Sequence, residues 1–446
     1  MCFAKTNGTA TDAAVGELIR FTKANSPYYA HAWRDLDDDH MSLSNIPVVD
    51  HASFWESNTC RHSTVLTSQQ TDGIIFKTGG TTAHPKVSFY SHDELTRVSK
   101  QLAECLTRCG VQSGDLVANL FYAGDLYGSF LLHILSVYQL RPGAIQLPVA
   151  GHVGLESMEQ HLVEFEATVV LATVTTMTKL AERILGAGKT HPYVRLLLFS
   201  GEAFYDDQAG LLTAAFPHAT VKSLIYGSMD CGVIGLPPPP PSLLNGIGPG
   251  IDVENDPRLH QVNSPAVVVE ILGDDDDDQG QGGPQSITTP GQAGRLVVTN
   301  VERRLMPIVR YPSGDRACWV DKPRGLFRIL DRDRTAIRLG PVSIDFVDLR
   351  RVVAAALAKQ SPSCGGDDRD GRPASRGVEG GPQGQADPGR RLYPHQRGAG
   401  GPMFREHVDR GLVAELGVRF VHMEELAANP RSGKAVEVLD VRSTTV

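Results

Sequence analysis

Apolar runs and helically spaced apolar residues alternate along the middle of the chain. Continuous apolar, β-branched segments cover 168–174, 194–199 and 221–226, and helical spacing covers 176–185 and 206–216 between them. This strand–helix alternation predicts a parallel sheet whose two faces are covered by helices. The predicted fold class is therefore α/β, with a large N-terminal domain of mainly parallel sheets flanked by helices.

Two further helices are predicted nearer the N-terminus, over 12–24 and 92–108. In the second, apolar residues recur at intervals of three and four, which is the spacing of one helix face. Ser91 before it and Glu94 three residues later have the pattern of a capping box.

The pattern changes after a run of prolines at 237–241. Short strands separated by glycine-rich loops are predicted over 266–272, 295–299 and 326–329. We expect them to form a β subdomain over about 237–330, which completes a large domain of residues 1–330. Residues 331–446 are expected to form a small α+β C-terminal domain.

Residues 361–402 interrupt that small domain. The segment is rich in glycine and arginine, and its only large apolar side chains are Val378, Leu392 and Tyr393. So little apolar surface cannot offset the conformational entropy of folding, which predicts a disordered segment. A reading-frame error is one hypothesis for its origin, and resequencing the transcript would contradict it by returning the same codons.

Composition and charge narrow the classes of function. The 446 residues exceed the usual size of one domain, and the net charge is −8 with a pI of about 6.0. An acidic chain argues against nucleic acid or an anionic membrane as the main partner. The N-terminus lacks the basic and apolar pattern of a signal peptide, and seven cysteines without CxxC pairs favour reduced thiols and a cytoplasmic location.

The segment 78–86, TGGTTAHPK, is a candidate anion-binding loop behind a short apolar run. Glycines let backbone N–H groups point at an anion, while threonine hydroxyls and Lys86 add donors and positive charge. The segment matches neither the Walker A loop nor the dinucleotide fingerprint. A β-turn with incidental threonines explains this segment alone equally well.

Four further stretches carry polar groups that are candidates for ligand binding. Gly201–Glu202 and Tyr226–Asp230 each follow a predicted strand, and ligands bind at the carboxyl ends of parallel strands. Asp315 lies beside Gly314 in a predicted loop between β elements, and Lys434 follows a glycine turn. Each of these residues also has a purely structural explanation. Asp315 could cap a turn, Tyr226 could pack in the core, and Lys434 could be an exposed surface lysine.

Taken in this order, these segments resemble those of the adenylate-forming superfamily of acyl-CoA synthetases and adenylation domains, most closely its phenylacetate–CoA ligase-like branch. The resemblance covers almost the whole chain. Residues 26–35 look like that branch's N-terminal segment, and 114–131 look like its substrate-side helix. It implies that ATP activates a carboxylic acid to an acyl adenylate with release of pyrophosphate, that a thiol then forms a thioester, and that the C-terminal domain is mobile.

The resemblance also implies roles for individual residues. The phosphate loop comprises Thr78, Gly79, Gly80, Thr81, Thr82 and Lys86. The adenine and ribose contacts comprise Gly201, Glu202, Tyr226, Gly227, Ser228, Asp315 and Arg332. Asp230 would bind Mg²⁺, and Lys434 would bridge the substrate carboxylate and the α-phosphate. Tyr122, Tyr127 and His152 are candidates for the acyl pocket, although a stripe of core residues on a helix explains the two tyrosines equally well.

Gly79, Ala83 and Asp230 replace a serine, a glycine and a glutamate of the family pattern, and two further places depart from it. Met229 stands where the family usually has a threonine that contacts phosphate. In the hinge sequence, Arg332 matches only with a one-residue slip, and the hinge residue is either Asp331 or Asp333. Two functions therefore stay open: an AMP-forming acid–thiol ligase, and a degenerate member that binds adenine nucleotide or acyl adenylate without completing the thioester.

The partners implied by the resemblance are small molecules. They are an aryl or similar carboxylic acid, ATP with Mg²⁺, and coenzyme A, with carrier-protein pantetheine as the other acceptor. Neither nucleic acid nor a membrane is expected. A homodimer is compatible with the resemblance, because members of this branch often form dimers.

Overall fold

The computed structural model describes residues 7–37, 41–77, 86–204, 206–244, 252–253, 256–274, 285–332, 336–339 and 342–345. The α-helices in these ranges are α1 (Asn7–Asn25), α2 (Pro27–Ala32), α3 (His51–Glu56), α4 (His92–Cys109), α5 (Ser129–Gln139), α6 (Leu155–Glu164), α7 (Val174–Gly186) and α8 (Asp206–Ala215). Among these helices, none is both long and apolar enough to cross a membrane.

The strands divide between the two halves of the chain. The first nine are β1 (Ile74–Lys77), β2 (Val87–Tyr90), β3 (Leu116–Asn119), β4 (Ile145–Leu147), β5 (Val169–Ala172), β6 (Leu196–Phe199), β7 (Thr220–Ser223), β8 (Tyr226–Ser228) and β9 (Gly232–Leu236). The later strands are β10 (Leu259–Val262), β11 (Val267–Leu272), β12 (Ala293–Asn300), β13 (Ile308–Asp321), β14 (Leu326–Arg332), β15 (Ala336–Leu339) and β16 (Val342–Asp345).

A five-stranded parallel sheet of order β4-β3-β5-β6-β7 carries helices on both faces. Successive side chains of a strand point to opposite faces, and the packing follows that period. Val169 and Leu171 of β5 pack with residues of α4 and α5, whereas Val170 and Ala172 pack with residues of α6, α7 and α8. Because both faces are covered, the strands are continuous apolar runs, and the predicted α/β class is confirmed.

A second, seven-stranded sheet is antiparallel, with the order β11-β12-β13-β14-β10-β9-β8. Its core side packs on the N-terminal helices, where Leu18, Tyr29 and Phe54 join Val298 and Tyr311 in one buried cluster. The sheet begins earlier in the chain than the predicted β subdomain, because β8 and β9 precede residue 237. Parallel pairing is therefore confined, among the described strands, to the smaller of these two sheets.

Three predicted elements differ from the structure. The strand predicted over 221–226 is divided: β7 ends at Ser223 in the parallel sheet, and Tyr226 begins β8 in the antiparallel sheet. The helix expected over 114–131 is wrong, because this segment contains β3 and a loop before α5 begins at Ser129. Asp315 is wrong as a loop residue, because Gly314 and Asp315 lie inside the long strand β13.

The residues described after position 332 are two short strands. β15 and β16 form an antiparallel hairpin that pairs Ala336 with Asp345 and belongs to a second compact unit. The predicted disordered segment 361–402 and the rest of the C-terminal domain lie outside the described residues. The domain division at 330 stays a prediction.

Glu94 ties α4 to the antiparallel sheet. Its carboxylate accepts from the Ser91 backbone N–H at 3.1 Å, and the Ser91 hydroxyl accepts from the Glu94 N–H, so the predicted capping box is confirmed. The same buried carboxylate accepts from Arg303 Nη1 at 3.1 Å and from the backbone N–H groups of Arg304 and Leu305. A charge removed from water in this way is stabilised only while its partners remain.

Glu94→Ala is expected to destabilise the protein by about 3–5 kcal/mol, because it leaves the Arg303 guanidinium buried without its counter-ion. The measurement is the shift of the denaturant midpoint of unfolding. The control is Glu104→Ala on the same helix, whose exposed pair with Arg108 is worth less than about 1 kcal/mol. Equal shifts for the two variants would contradict the prediction.

Candidate functional site

The loop after β6 is fixed to the start of α7 at the carboxyl edge of the parallel sheet. Gly201 has a φ of +79°, a conformation that favours glycine. The Glu202 carboxylate accepts from the Thr175 backbone N–H at 2.7 Å and from its hydroxyl at 2.9 Å. A carboxylate at a helix N-terminus interacts favourably with the unpaired N–H groups there. Glu202 thus holds this edge in place.

Tyr226 and Asp315 form a hydrogen-bonded pair between β8 and β13. The tyrosine hydroxyl donates to the carboxylate at an O–O distance of 2.6 Å. Burial, and then the charge of Asp315, raise the pKa of Tyr226 well above its usual value, so the hydroxyl keeps its proton. The tyrosine ring lies 5.9 Å from the rings of both His260 and Phe327. The pair offers an aromatic ring beside an acceptor for hydroxyl groups.

Gly227 lets β8 and β9 approach closely. A Cβ atom at this position would lie 2.4 Å from the Gly232 carbonyl oxygen, which no real side chain allows. The two strands are joined by a turn in which the Ser228 hydroxyl accepts from the Cys231 backbone N–H at 3.1 Å. Ser228 is exposed, and its hydroxyl has this structural partner. The close approach fixes Tyr226 on β8 relative to Asp230 in the turn.

Asp230 is a buried carboxylate that faces cations. It is 5 % exposed, and it accepts from the Ser88 hydroxyl at 2.8 Å. Burial raises the pKa of Asp230, while the positive charges of Lys86 and Arg303 and the Ser88 hydrogen bond act against that rise. Lys86 contacts α3, because its Nζ lies 2.7 Å from Nε2 of His51 on that helix. This end of the site combines positive charge with one buried acid.

These residues fit one kind of Mg²⁺ site. Within the described part of the chain, no group of three or more His, Cys, Asp or Glu residues could hold a metal ion. Nucleotide-bound Mg²⁺ is instead usually held by one or two protein carboxylates together with phosphates and water. Asp230, a single buried carboxylate, fits that arrangement and not an all-protein metal site.

The predicted acyl-pocket residues lie in three environments. Tyr122 is half-buried where a Cβ on Gly151 would lie 2.5 Å from its ring, and burial followed by the charge of Glu202 raises its pKa. Tyr127 is half-buried just before α5, and His152 is exposed. Neither tyrosine lies on a helix, so the alternative of a packed helix stripe is wrong. Their role in binding an acid stays a prediction.

Met229 is partly buried and packs against the core beside the turn. A Cβ on Gly128 would lie 2.5 Å from its Cε and 2.9 Å from Phe76 Cδ1, so the three residues fill one space. The thioether belongs to the cluster that includes the buried Phe76. A methionine cannot donate a hydrogen bond to phosphate, which makes this departure from the family pattern a real chemical change.

Some predicted site residues lie outside the described part of the chain. These are Thr78, Gly79, Gly80, Thr81, Thr82 and Lys434. For Arg332 the backbone alone is described, and its Cα pairs with that of Asp315 across β13 and β14. Sequence reasoning missed Ser88, Thr175 and His51, which contact Asp230, Glu202 and Lys86 respectively. Ser88 follows Lys86 by only two residues, whereas His51 is 35 residues away from Lys86 in the sequence.

Comparisons with known proteins find one curated sequence relative and several structures of similar fold. No family model matches the sequence. A curated relative, the phenylacetate-coenzyme A ligase of Pseudomonas putida, is 23 % identical over 251 residues, which cover 54 % of this chain and 49 % of the relative. This chain thus spans about half the length of that relative.

Solved structures of a 2-hydroxyisobutyryl-CoA ligase share the fold. The ligase in the postadenylation state with 2-HIB-AMP has a TM-score of 0.63 at 18 % identity, covering 81 % of this chain and 74 % of its own. Its open conformation with 2-HIB-AMP and CoA has a TM-score of 0.60 at 18 % identity, covering 79 % and 75 %. The fold expected from the sequence motifs is therefore confirmed.

Gly227→Ala is expected to destabilise the protein by about 1–3 kcal/mol, because β8 and β9 must separate to admit the methyl group. The shift of the unfolding midpoint measures this. Gly210→Ala is the matched control: its Cβ meets nothing within 4 Å inside α8, so it should stabilise the protein by about 0.4–1 kcal/mol. A neutral Gly227→Ala would contradict the close approach.

Proposed function

We propose that this chain, whose fold and sequence similarity support the adenylate-forming superfamily and its phenylacetate–CoA ligase-like branch, is an AMP-forming acid–thiol ligase. One observation carries the proposal: Tyr226 on β8 donates a hydrogen bond to Asp315 on β13, and β8 leads directly into the turn that carries Asp230. An aromatic ring beside an acceptor suits adenine and ribose hydroxyls. A cationic end beside Asp230 suits the phosphates and Mg²⁺ of ATP.

The first half-reaction makes the acid reactive. A carboxylate oxygen of the substrate attacks the α-phosphorus of ATP, the bond to the bridging oxygen breaks, and pyrophosphate leaves. The charge on the polyphosphate must be neutralised and the reactants aligned, since the enzyme forms no covalent bond itself. Lys86 would supply positive charge at the pyrophosphate, and Mg²⁺ held by Asp230 would neutralise phosphate charge. Lys434 would bridge the substrate carboxylate and the α-phosphate.

The second half-reaction consumes the acyl adenylate. The sulfur of a thiol attacks the acyl carbon, the carbon–oxygen bond to AMP breaks, AMP leaves, and the thiol proton passes to water. Coenzyme A is the proposed acceptor, with carrier-protein pantetheine as the other candidate. The acid is proposed to be aryl or similar, and Tyr122, Tyr127 and His152 are proposed to line its pocket. The enzyme is proposed to be cytoplasmic and to form homodimers.

Acid-dependent exchange of labelled pyrophosphate into ATP tests the proposal. A panel of aryl and short aliphatic acids is expected to contain at least one that supports exchange by the full chain. In the same assay, Lys434→Ala should lose exchange by about 10²-fold or more, as removal of a charge-stabilising group typically does. Well-folded protein that binds ATP but supports no exchange with any acid would favour the degenerate alternative instead.

Tyr226→Ala should weaken ATP binding about five- to 150-fold, the range expected for one lost stacking interaction. Tyr226→Phe keeps the ring and should retain most of the affinity. Titration calorimetry with ATP measures both, and the exposed Tyr138→Ala is the control. Equal losses for Tyr226→Phe and Tyr226→Ala would show that the hydroxyl, and not the ring, carries the interaction.

A further inference from the structure

Lys86 is held between α3 and the turn that carries Asp230. Its Nζ lies 2.7 Å from His51 Nε2 and 5.1 Å from the centroid of the Trp55 ring. Its charge also acts on the buried Asp230 carboxylate. A single cation thus contacts an imidazole and an aromatic face of α3, and its charge also acts on an acid from another part of the chain.

The contact between Lys86 and His51 has a defined direction. An ammonium group has three donors and no acceptor, so the imidazole nitrogen must accept. His51 is therefore neutral in this contact, with Nε2 as the acceptor and the proton on Nδ1. A protonated imidazole at the same distance would place two positive charges 2.7 Å apart.

The helix that presents His51 is itself anchored. Asp50 caps α3 by accepting from the Ser53 backbone N–H at 2.8 Å. Phe54 is fully buried, and Trp55 Nε1 donates to the Tyr311 hydroxyl on β13 at 2.9 Å. The His51 ring also lies 5.8 Å from the Tyr311 ring. The acceptor for Lys86 is therefore fixed to the same sheet that carries Asp315.

Such a fixed acceptor meets a physical need. A lysine side chain has about 2 kcal/mol of rotamer entropy, and its charge is drawn toward any nearby carboxylate. With Asp230 as the only partner, the ammonium would be drawn onto the acid. His51 adds an uncharged partner, which holds the ammonium without neutralising its positive charge. That charge is what a phosphate would need.

We infer that His51 is a positioning residue that acts through Lys86: its Nε2 fixes the Lys86 ammonium for the polyphosphate of ATP. The inference rests on the proposed function, since it assigns a purpose to the placement of Lys86. It predicts that His51 matters only while Lys86 is present. A residue that merely stabilises the fold would matter equally with or without Lys86.

A double-mutant cycle tests this with the full chain. His51→Leu keeps the bulk and removes the acceptor, whereas His51→Gln keeps an acceptor of similar reach. His51→Leu should reduce kcat/KM for ATP in pyrophosphate exchange, and the affinity for ATP in titration calorimetry, by about ten- to a hundredfold, the scale of a hydrogen bond to a charged group. His51→Gln should recover most of that loss. In the Lys86→Ala background, His51→Leu should change either quantity less than about twofold.

The controls separate failure of the inference from failure of the proposed function. His62→Ala, at an exposed histidine, should equal the wild type in both assays. Suppose that the wild type exchanges pyrophosphate. The inference is then overturned, and the function stays intact, if His51→Leu leaves kcat/KM and ATP affinity unchanged or lowers them equally in the Lys86→Ala background. A wild type that binds ATP without exchange overturns the function, and the cycle read by calorimetry still decides the inference. If His51→Leu does not fold, His51→Ala replaces it in the same cycle.

Discussion

The candidate site depends on the short crossing between the two sheets. β7 ends at Ser223 in the parallel sheet, and β8 begins at Tyr226 in the antiparallel sheet. The residues between them stay attached to the parallel sheet, since the Leu224 N–H donates to the Phe199 carbonyl at 2.8 Å. On the far side, the close approach of Gly227 to Gly232 fixes the turn. Tyr226 is therefore positioned by both sheets and belongs to the carboxyl edge of one and the end strand of the other.

Burial of Asp230 links this crossing to the electrostatics of the site. An isolated carboxylate with 5 % exposure would lose most of its hydration, and that loss favours the protonated form. The Ser88 hydroxyl and the charges of Lys86 and Arg303 oppose the change. The Arg303 guanidinium is itself hydrogen-bonded to the Glu94 carboxylate. The capping residue of α4 thus holds in place the arginine whose charge acts on Asp230. The fold thus keeps the buried Asp230 carboxylate under the influence of two cations, Lys86 and Arg303.

Local structural features could be predicted from the sequence, whereas features formed by contacts between distant residues could not. The runs around β5 and β6 were readable because both faces of a parallel strand are buried, and Ser91 with Glu94 is a signal confined to four residues. Asp315 was misplaced because Gly-Asp is a turn signal, whereas β13 accommodates it with shifts in register against both neighbours. His51 was invisible because its contact with Lys86 joins residues 35 apart that lie in separate elements. No periodicity or spacing marks such a pair.

Met229 shows why the placement of Lys86 matters in this chain. The adenylate-forming enzymes that this chain resembles usually have a threonine at this position, and the threonine hydroxyl can donate to phosphate. Here the thioether lies against Gly128 and Phe76 and joins the core, so it donates nothing. The turn keeps its shape because the Ser228 hydroxyl and the backbone carbonyl of Met229, which accepts from Tyr90, hold it. Under the proposed function, losing one donor without losing the turn would shift more of the phosphate binding onto Lys86, and a partner such as His51 that limits the freedom of this flexible cation would lower the entropic cost of binding.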